Sequence, residues 1–211
     1  MSILGSLDNK SAAGEDGIKA SPVKAVAHDI AKPLTHIFNE MISSGIYPDR
    51  LKIARVTLLH KGGKCNELGN YRPISVLSIF AKVAEKVLCT RFNKFLSAKN
   101  VIVEQQFGFQ KGKSTEKALV RIKDKIIQNI ENRLFTVAIY LDFQKAFDSI
   151  KHEILFRKLE AYGFRGKAQN LIRSYLHNRL QYICLQDAQS EETVIKYGVP
   201  QGSGTGPLYY L

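Results

Sequence analysis

The chain has no tryptophan, only three cysteines and no apolar run of membrane-spanning length. It is also poor in acid, with 19 Asp and Glu against 31 Lys and Arg, a formal charge of +12. Each shortage excludes something. Cys65, Cys89 and Cys184 are odd in number and far apart, so they form no disulfide framework and no metal-ligand spacing. That usage fits a reducing, intracellular setting. The missing apolar run excludes an ordinary transmembrane helix. Without Trp, an interfacial membrane helix is disfavoured. Residues 1–10 carry no signal-peptide core. No repeat or low-complexity tract appears.

What is present is ordinary globular composition over 211 residues, with 45% hydrophobic and 24% charged residues. That length suits one large domain or two small ones, with a sizeable core. The positive charge favours a polyanionic partner, because each neutralised phosphate releases a counterion.

The pattern reads as α+β. Residues 8–20 form a polar, Gly-containing loop. Ser21-Pro22 starts a helix whose apolar positions run from Val23 to Met41; Pro33 should kink or split it, and Gly45 and Pro48 end it. Ile53 to Leu59 reads as a strand, and 60–70 as a loop or hairpin tip. Ile79 to Leu96 reads as a second helix, with Val83, Val87, Leu88, Phe92, Phe95 and Leu96 on its apolar side. Ser114 to Ile130 reads as a third, with Leu119, Ile122, Ile126 and Ile130 inward and a basic outer face. Phe135 to Leu141 reads as a strand. Helices are expected over 149–162, capped by Asp148 or Ser149, and over 166–176. Gln181 to Leu185 and Glu192 to Val199 read as paired strands.

Four segments carry chemistry. In Tyr140-Leu141-Asp142-Phe143-Gln144-Lys145-Ala146-Phe147-Asp148, an apolar strand pattern runs straight into a carboxylate. A charge there needs a compensating partner, such as a metal ion or a donor network. Nucleotidyl transfer uses such carboxylates to hold two divalent cations, and oxygen ligands suit Mg²⁺. An isolated Asp would read equally as a cap or a loop residue. Phe147, five residues on, reads as a core aromatic or as a ring packed beside a nucleotide sugar. Asp148 reads best as a helix cap.

Gly198 to Pro207 holds four Gly and two Pro in ten residues, a tight backbone path that a ligand can approach closely. Within it, Gln201 offers hydrogen bonds to a base or sugar edge. Lys61, Lys64 and Arg72 surround a Gly-flanked loop and could face a triphosphate, or simply be solvated. Gln106-Phe107-Gly108-Phe109-Gln110-Lys111-Gly112-Lys113 interleaves aromatics with cations, which suits a nucleic-acid strand. An ordinary basic surface remains the plain alternative. Taken together, the segments point to a template-directed nucleic-acid polymerase.

In this order, Asn70-Tyr71-Arg72-Pro73-Ile74-Ser75, Ala84-Glu85-Lys86, the QFGF segment, the LDFQKAFD segment and Gly198-Val199-Pro200-Gln201-Gly202-Ser203 resemble the reverse transcriptase of non-LTR (LINE-like) retrotransposons. The likeness runs from Ala13 to Pro207. It implies a right-hand polymerase: an N-terminal loop over 1–20, fingers over 21–132 and an incomplete palm over 133–211. The reaction implied is RNA-directed DNA synthesis from dNTPs on a primed RNA template with Mg²⁺. By position, Asp142 resembles the first catalytic, metal-binding Asp and Phe147 the sugar gate. Arg72, with Lys61 or Lys64, resembles the triphosphate contact. Gln201 and Gly202 resemble the nucleotide-binding turn. Gln106, Phe107, Phe109, Lys111 and Lys113 resemble part of the template grip.

Two departures from the pattern stand out. Gly204-Thr205 replace an expected apolar pair, which should soften the packing under the turn, and Tyr209-Tyr210 follow. The family's aromatic-Ala-Asp-Asp motif is expected beyond Pro207, and the chain has no Asp-Asp pair. No thumb, endonuclease or RNase H pattern is present either. Weak or no activity is therefore expected of this chain alone. A non-catalytic basic RNA-binding relic is the alternative, and a misfolded relic with an exposed sheet edge is a third.

Overall fold

The computed structural model describes residues 2–143, 145–185 and 188–206. Gln144 and the expected Pro207 and Tyr209-Tyr210 features lie outside them. The described elements are α1 (Ser2–Gly5), α2 (Ala20–Ala25), α3 (Ala27–Ser44), β1 (Ile53–His60), β2 (Tyr71–Leu77), α4 (Ile79–Ala98), α5 (Thr115–Glu131), α6 (His152–Ala161), α7 (Lys167–Leu176), β3 (Leu180–Leu185), β4 (Ala188–Gln189) and β5 (Thr193–Val194). This is a mixed α and β architecture, as the sequence pattern implies.

The sheet is mixed. β1 and β2 form an antiparallel hairpin in which Ala54 faces Leu77 and His60 faces Tyr71. β3 lies parallel to β1 on its other edge, with Ile53 opposite Leu180. β4 and β5 both pair antiparallel with β3. Alternation in β1 buries Ala54 and Val56 on one face, where Ala54 meets Leu77 and Ala81. The strand character of 71–77 goes beyond the sequence reading, because Arg72 and Pro73 mask its periodicity.

Helix α4 spans the core. Ile79, Val83, Ala84, Leu88, Phe92 and Leu96 are buried at helical spacing. The Ser78 hydroxyl caps it by accepting from the Ala81 N–H at 3.1 Å. Ser78→Ala is expected to cost about 1 kcal/mol and lower the melting temperature by roughly 2–4 °C; thermal unfolding measures it. The 8–19 loop crosses the start of α4, and a Cβ on Gly14 would lie 2.5 Å from the Ser78 backbone nitrogen. Arg55 and Lys82 hold this loop through the Ala13 and Ala12 carbonyls. Before it, α1 and its flank bury Leu4 and Leu7.

Several expectations are corrected. The helical break falls at Val26 rather than Pro33, and exposed Pro33 sits inside α3. Gly45 ends α3 at φ 73°, as expected. α6 begins at His152 after Lys151, so neither Asp148 nor Ser149 caps it. The 192–199 strand shortens to β5. No residue of α5 is buried; Leu119 and Ile130 are each 66% exposed, and Ile122 is exposed as well. Periodicity gave the apolar face of α5 but not what would cover it.

The largest correction concerns Phe135 to Leu141. It is irregular chain, with Phe135, Val137, Ile139, Tyr140 and Leu141 exposed. A strand exists only with a ladder partner, and none pairs with this segment among the described residues.

Candidate nucleotide and nucleic-acid site

Three of the four sequence segments converge on the sheet. The Ser75 N–H in β2 donates to the Gln201 carbonyl at 2.8 Å, so the 198–206 turn is bonded to β2, the strand that carries Arg72. Gly202, at φ 98°, lies against Ile74 and the Ser75 carbonyl. On the other side, the Val199 N–H donates to the Phe147 carbonyl at 2.9 Å, and the Gly198 N–H to the Ile150 carbonyl at 2.8 Å. His152 Nε2 lies 2.7 Å from the Gly198 carbonyl oxygen. Phe147 is half-buried against the core, and its ring meets Phe109 edge-on at 6.3 Å. Phe109 thus brings the fourth segment to the same place.

A cavity of about 380 Å³ lies between these strands and the turn. Pro73, Ser75, Asp148, Lys196, Tyr197 and Gln201 line part of it. Burial raises the Asp148 carboxyl, against the lowering charge of Lys145. Asp148 therefore belongs to the cavity wall rather than to a helix cap.

The cationic candidates are spread more widely. Arg72, Lys61, Lys64 and Lys111 are exposed. The Lys61 N–H donates to the Asn70 carbonyl at 2.8 Å, which closes the hairpin loop. The Lys64 carbonyl accepts from Asn70 Nδ2 at 3.0 Å. Lys113 packs over the Phe107 ring at 5.3 Å and donates to the Glu104 carbonyl. Gln106 donates from its side chain to the Gly108 carbonyl. These bonds shape the 104–113 loop and leave Phe109 exposed.

Asp142 stands apart, exposed in the irregular 134–143 segment. Among the described residues no group of three His, Cys, Asp or Glu side chains is placed to hold a metal ion. Those residues do not by themselves make a two-cation site.

Ser75 and Glu85 stand inside the motif series without a role assigned to them there, and His152 is not singled out. Ser75 acts through its backbone N–H and His152 through its ring to the Gly198 carbonyl, contacts that spacing along the chain does not show. Glu85 lies on the buried side of α4, and both its carboxyl oxygens meet the far end of the turn or its support. Burial pushes its carboxyl above the ordinary range. The Tyr175 hydrogen bond, the Arg179 charge, the Gly204 N–H and the Lys82 charge oppose that shift without cancelling it.

A mixed sheet with a Gly-rich turn bonded to its edge, in a chain of +12 charge, is consistent with a nucleic-acid polymerase domain, and comparison names the family. The family described as reverse transcriptase (RNA-dependent DNA polymerase) matches residues 59–211, and the chain belongs to it. Its relatives are polymerases of mobile elements, in keeping with the non-LTR likeness of the motif series. It is 32% identical over 194 residues to the probable RNA-directed DNA polymerase from transposon BS of Drosophila melanogaster, covering 92% of this chain and 21% of that protein. It is 32% identical over 203 residues to the probable RNA-directed DNA polymerase from transposon X-element of the same fly, covering 96% and 22%. It is 30% identical over 212 residues to the RNA-directed DNA polymerase from mobile element jockey, also of Drosophila melanogaster, covering 99% and 23%. The chain therefore spans about a fifth of the length of these curated relatives. No described helix is long and apolar enough to cross a membrane.

Proposed function

We propose that this chain is the part of a retrotransposon reverse transcriptase that receives the incoming nucleotide and grips a primed RNA template, in an intracellular setting. Residues 21–132 act as fingers and 133–211 as part of the palm, behind an N-terminal segment over 1–20. The convergence of β2, the Phe147 segment and the Gln201-Gly202 turn around one cavity carries this reading. In it, Gln201 and Gly202 contact the nucleotide, Phe147 limits the sugar, and Arg72 with Lys61 or Lys64 meets the triphosphate. Gln106, Phe107, Phe109, Lys111 and Lys113 hold template. Asp142 supplies one of the carboxylates for Mg²⁺.

The test is primer extension on a primed RNA template with Mg²⁺ and dNTPs, beside Asp142→Ala. Extension that falls at least about a hundredfold in the variant supports a working metal site with Asp142 in it. Equal extension by both removes Asp142 from the chemistry.

Exposed Asp142 favours a second reading, a scaffold that binds RNA without catalysis. No extension, with RNA affinity still falling about a hundredfold between roughly 50 and 200 mM salt, supports that reading. Such a slope corresponds to roughly five neutralised phosphates on a single strand. Salt-insensitive binding would count against both readings.

A further inference from the structure

The turn that bears Gln201 does not end in solvent. Glu85 is 1% exposed, and its two oxygens are both engaged. Oε1 accepts from the Tyr175 hydroxyl at 2.6 Å. Oε2 accepts from the Gly204 N–H at 2.8 Å. The Thr205 hydroxyl, itself fully buried, donates to the Tyr175 phenolic oxygen at 2.8 Å. The Cys89 thiol donates to the Gly204 carbonyl at 3.2 Å, so α4 holds both sides of that residue.

Tyr175 is itself held in place. Tyr47 packs edge-on to it at 4.9 Å, and the Arg179 guanidinium lies over its ring at 4.6 Å. Arg179 Nη1 donates to the Tyr175 carbonyl at 3.2 Å. The polar pair Gly204-Thr205, where an apolar pair was expected, is thus used: the hydroxyl closes a chain of hydrogen bonds that an apolar side chain would leave open.

We propose that Glu85 is a positioning residue, and that the Glu85–Tyr175–Thr205 chain is a strut fixing the path of the 202–206 turn. Its use in nucleotide binding rests on the reading of Gln201 and Gly202 given above. Two bonds from α4 set the Gly204 backbone, and Gly204 is only two residues from Gly202. Thr205 adds a link to α7. The turn is thereby tied to both helices as well as to β2. Local order in the turn should then depend on a hydroxyl that a general packing role would not require, because Val fills the same space.

The test compares the whole chain with Thr205→Val and Thr205→Ser. Hydrogen exchange over 202–206 is read beside the thermal midpoint. Thr205→Val should speed exchange in the turn about tenfold, the factor for loss of one buried hydrogen bond. The midpoint should fall by only about 3–6 °C, the exchange of α4 should rise no more than that fall implies, and Thr205→Ser should restore protection. Unchanged exchange in Thr205→Val overturns the strut. So does a failure of Ser to rescue, or a rise in exchange as large over α4 and α7 as in the turn, which would mark ordinary core packing.

Titration with dTTP and Mg²⁺ adds the functional arm. Thr205→Val should bind nucleotide about tenfold more weakly, with RNA affinity unchanged. If the wild-type chain binds no dTTP, the nucleotide reading of the turn fails, and the exchange data still decide the strut.

Discussion

Glu85→Leu is expected to destabilise the fold by about 3–5 kcal/mol, enough to lower the melting temperature by roughly 10 °C or more. The substitution leaves the Tyr175 hydroxyl and the Gly204 N–H without their buried acceptor. It also strips a neighbouring charge from Arg179, which is buried with Nε and Nη2 lacking hydrogen-bond partners among the described residues. Glu85→Gln should cost far less. Its amide oxygen can accept from Gly204, and its amide nitrogen can donate to Tyr175 while the Tyr175 hydroxyl turns to Thr205.

The pair of variants also separates charge from shape. Burial raises the Glu85 carboxyl in the fold, so the folded chain holds that proton more tightly than the unfolded chain. The resulting stability is fully present below the ordinary carboxylate value and is lost as pH rises through the raised one. Wild type should therefore lose stability against Glu85→Gln as pH rises above the ordinary value. Lys82, Arg179, Tyr47, Tyr175 and Cys89 face or act on this carboxyl. The Cys89 thiol is pushed up to about 12 and Tyr47 is raised as well, both by burial first and Glu85 second, so neither titrates in that window. Urea melts of both proteins across pH measure the difference; parallel curves would refute the assignment.

Gly198→Ala should be the second large effect, costing roughly 2–4 kcal/mol. Gly198 sits at φ 81°, and a Cβ there would lie 2.7 Å from the Phe147 carbonyl oxygen and 2.8 Å from the Asp148 Cα. These are backbone atoms, so no side chain can swing aside. The two segments must separate, which strains the Val199-to-Phe147 and Gly198-to-Ile150 hydrogen bonds. Gly17→Ala is the control: its φ is 67°, but a Cβ meets nothing within 4 Å. That change should cost only about 1 kcal/mol, the conformational part alone. Equal melting temperatures for the two variants would mean that close approach contributes nothing at Gly198. On the proposed reading, Gly198→Ala also displaces Phe147 from Gln201 and weakens nucleotide binding.

Much of this was legible in the chain itself. The residues of α4, β1 and α7 announce themselves by period, because burial on one face repeats with the geometry of the element. Gly45 marks a helix end through a left-handed conformation that is local. The order of motifs carried the family, since it needs no knowledge of what touches what.

Tertiary structure decided the rest. An apolar period says that a face wants covering and not what covers it, so α5 and Phe135 to Leu141 read alike whether or not a partner is present. Asp142 follows that segment and shares its exposure. Glu85 reads as one charge on an apolar helix, yet its partners lie 90 and 119 residues away in sequence. Parallel pairing of β1 with β3 crosses most of the chain in the same way. Local sequence determined the longer helices and the first strand. Only packing determined which backbone groups meet, because those contacts join atoms that no spacing along the chain relates.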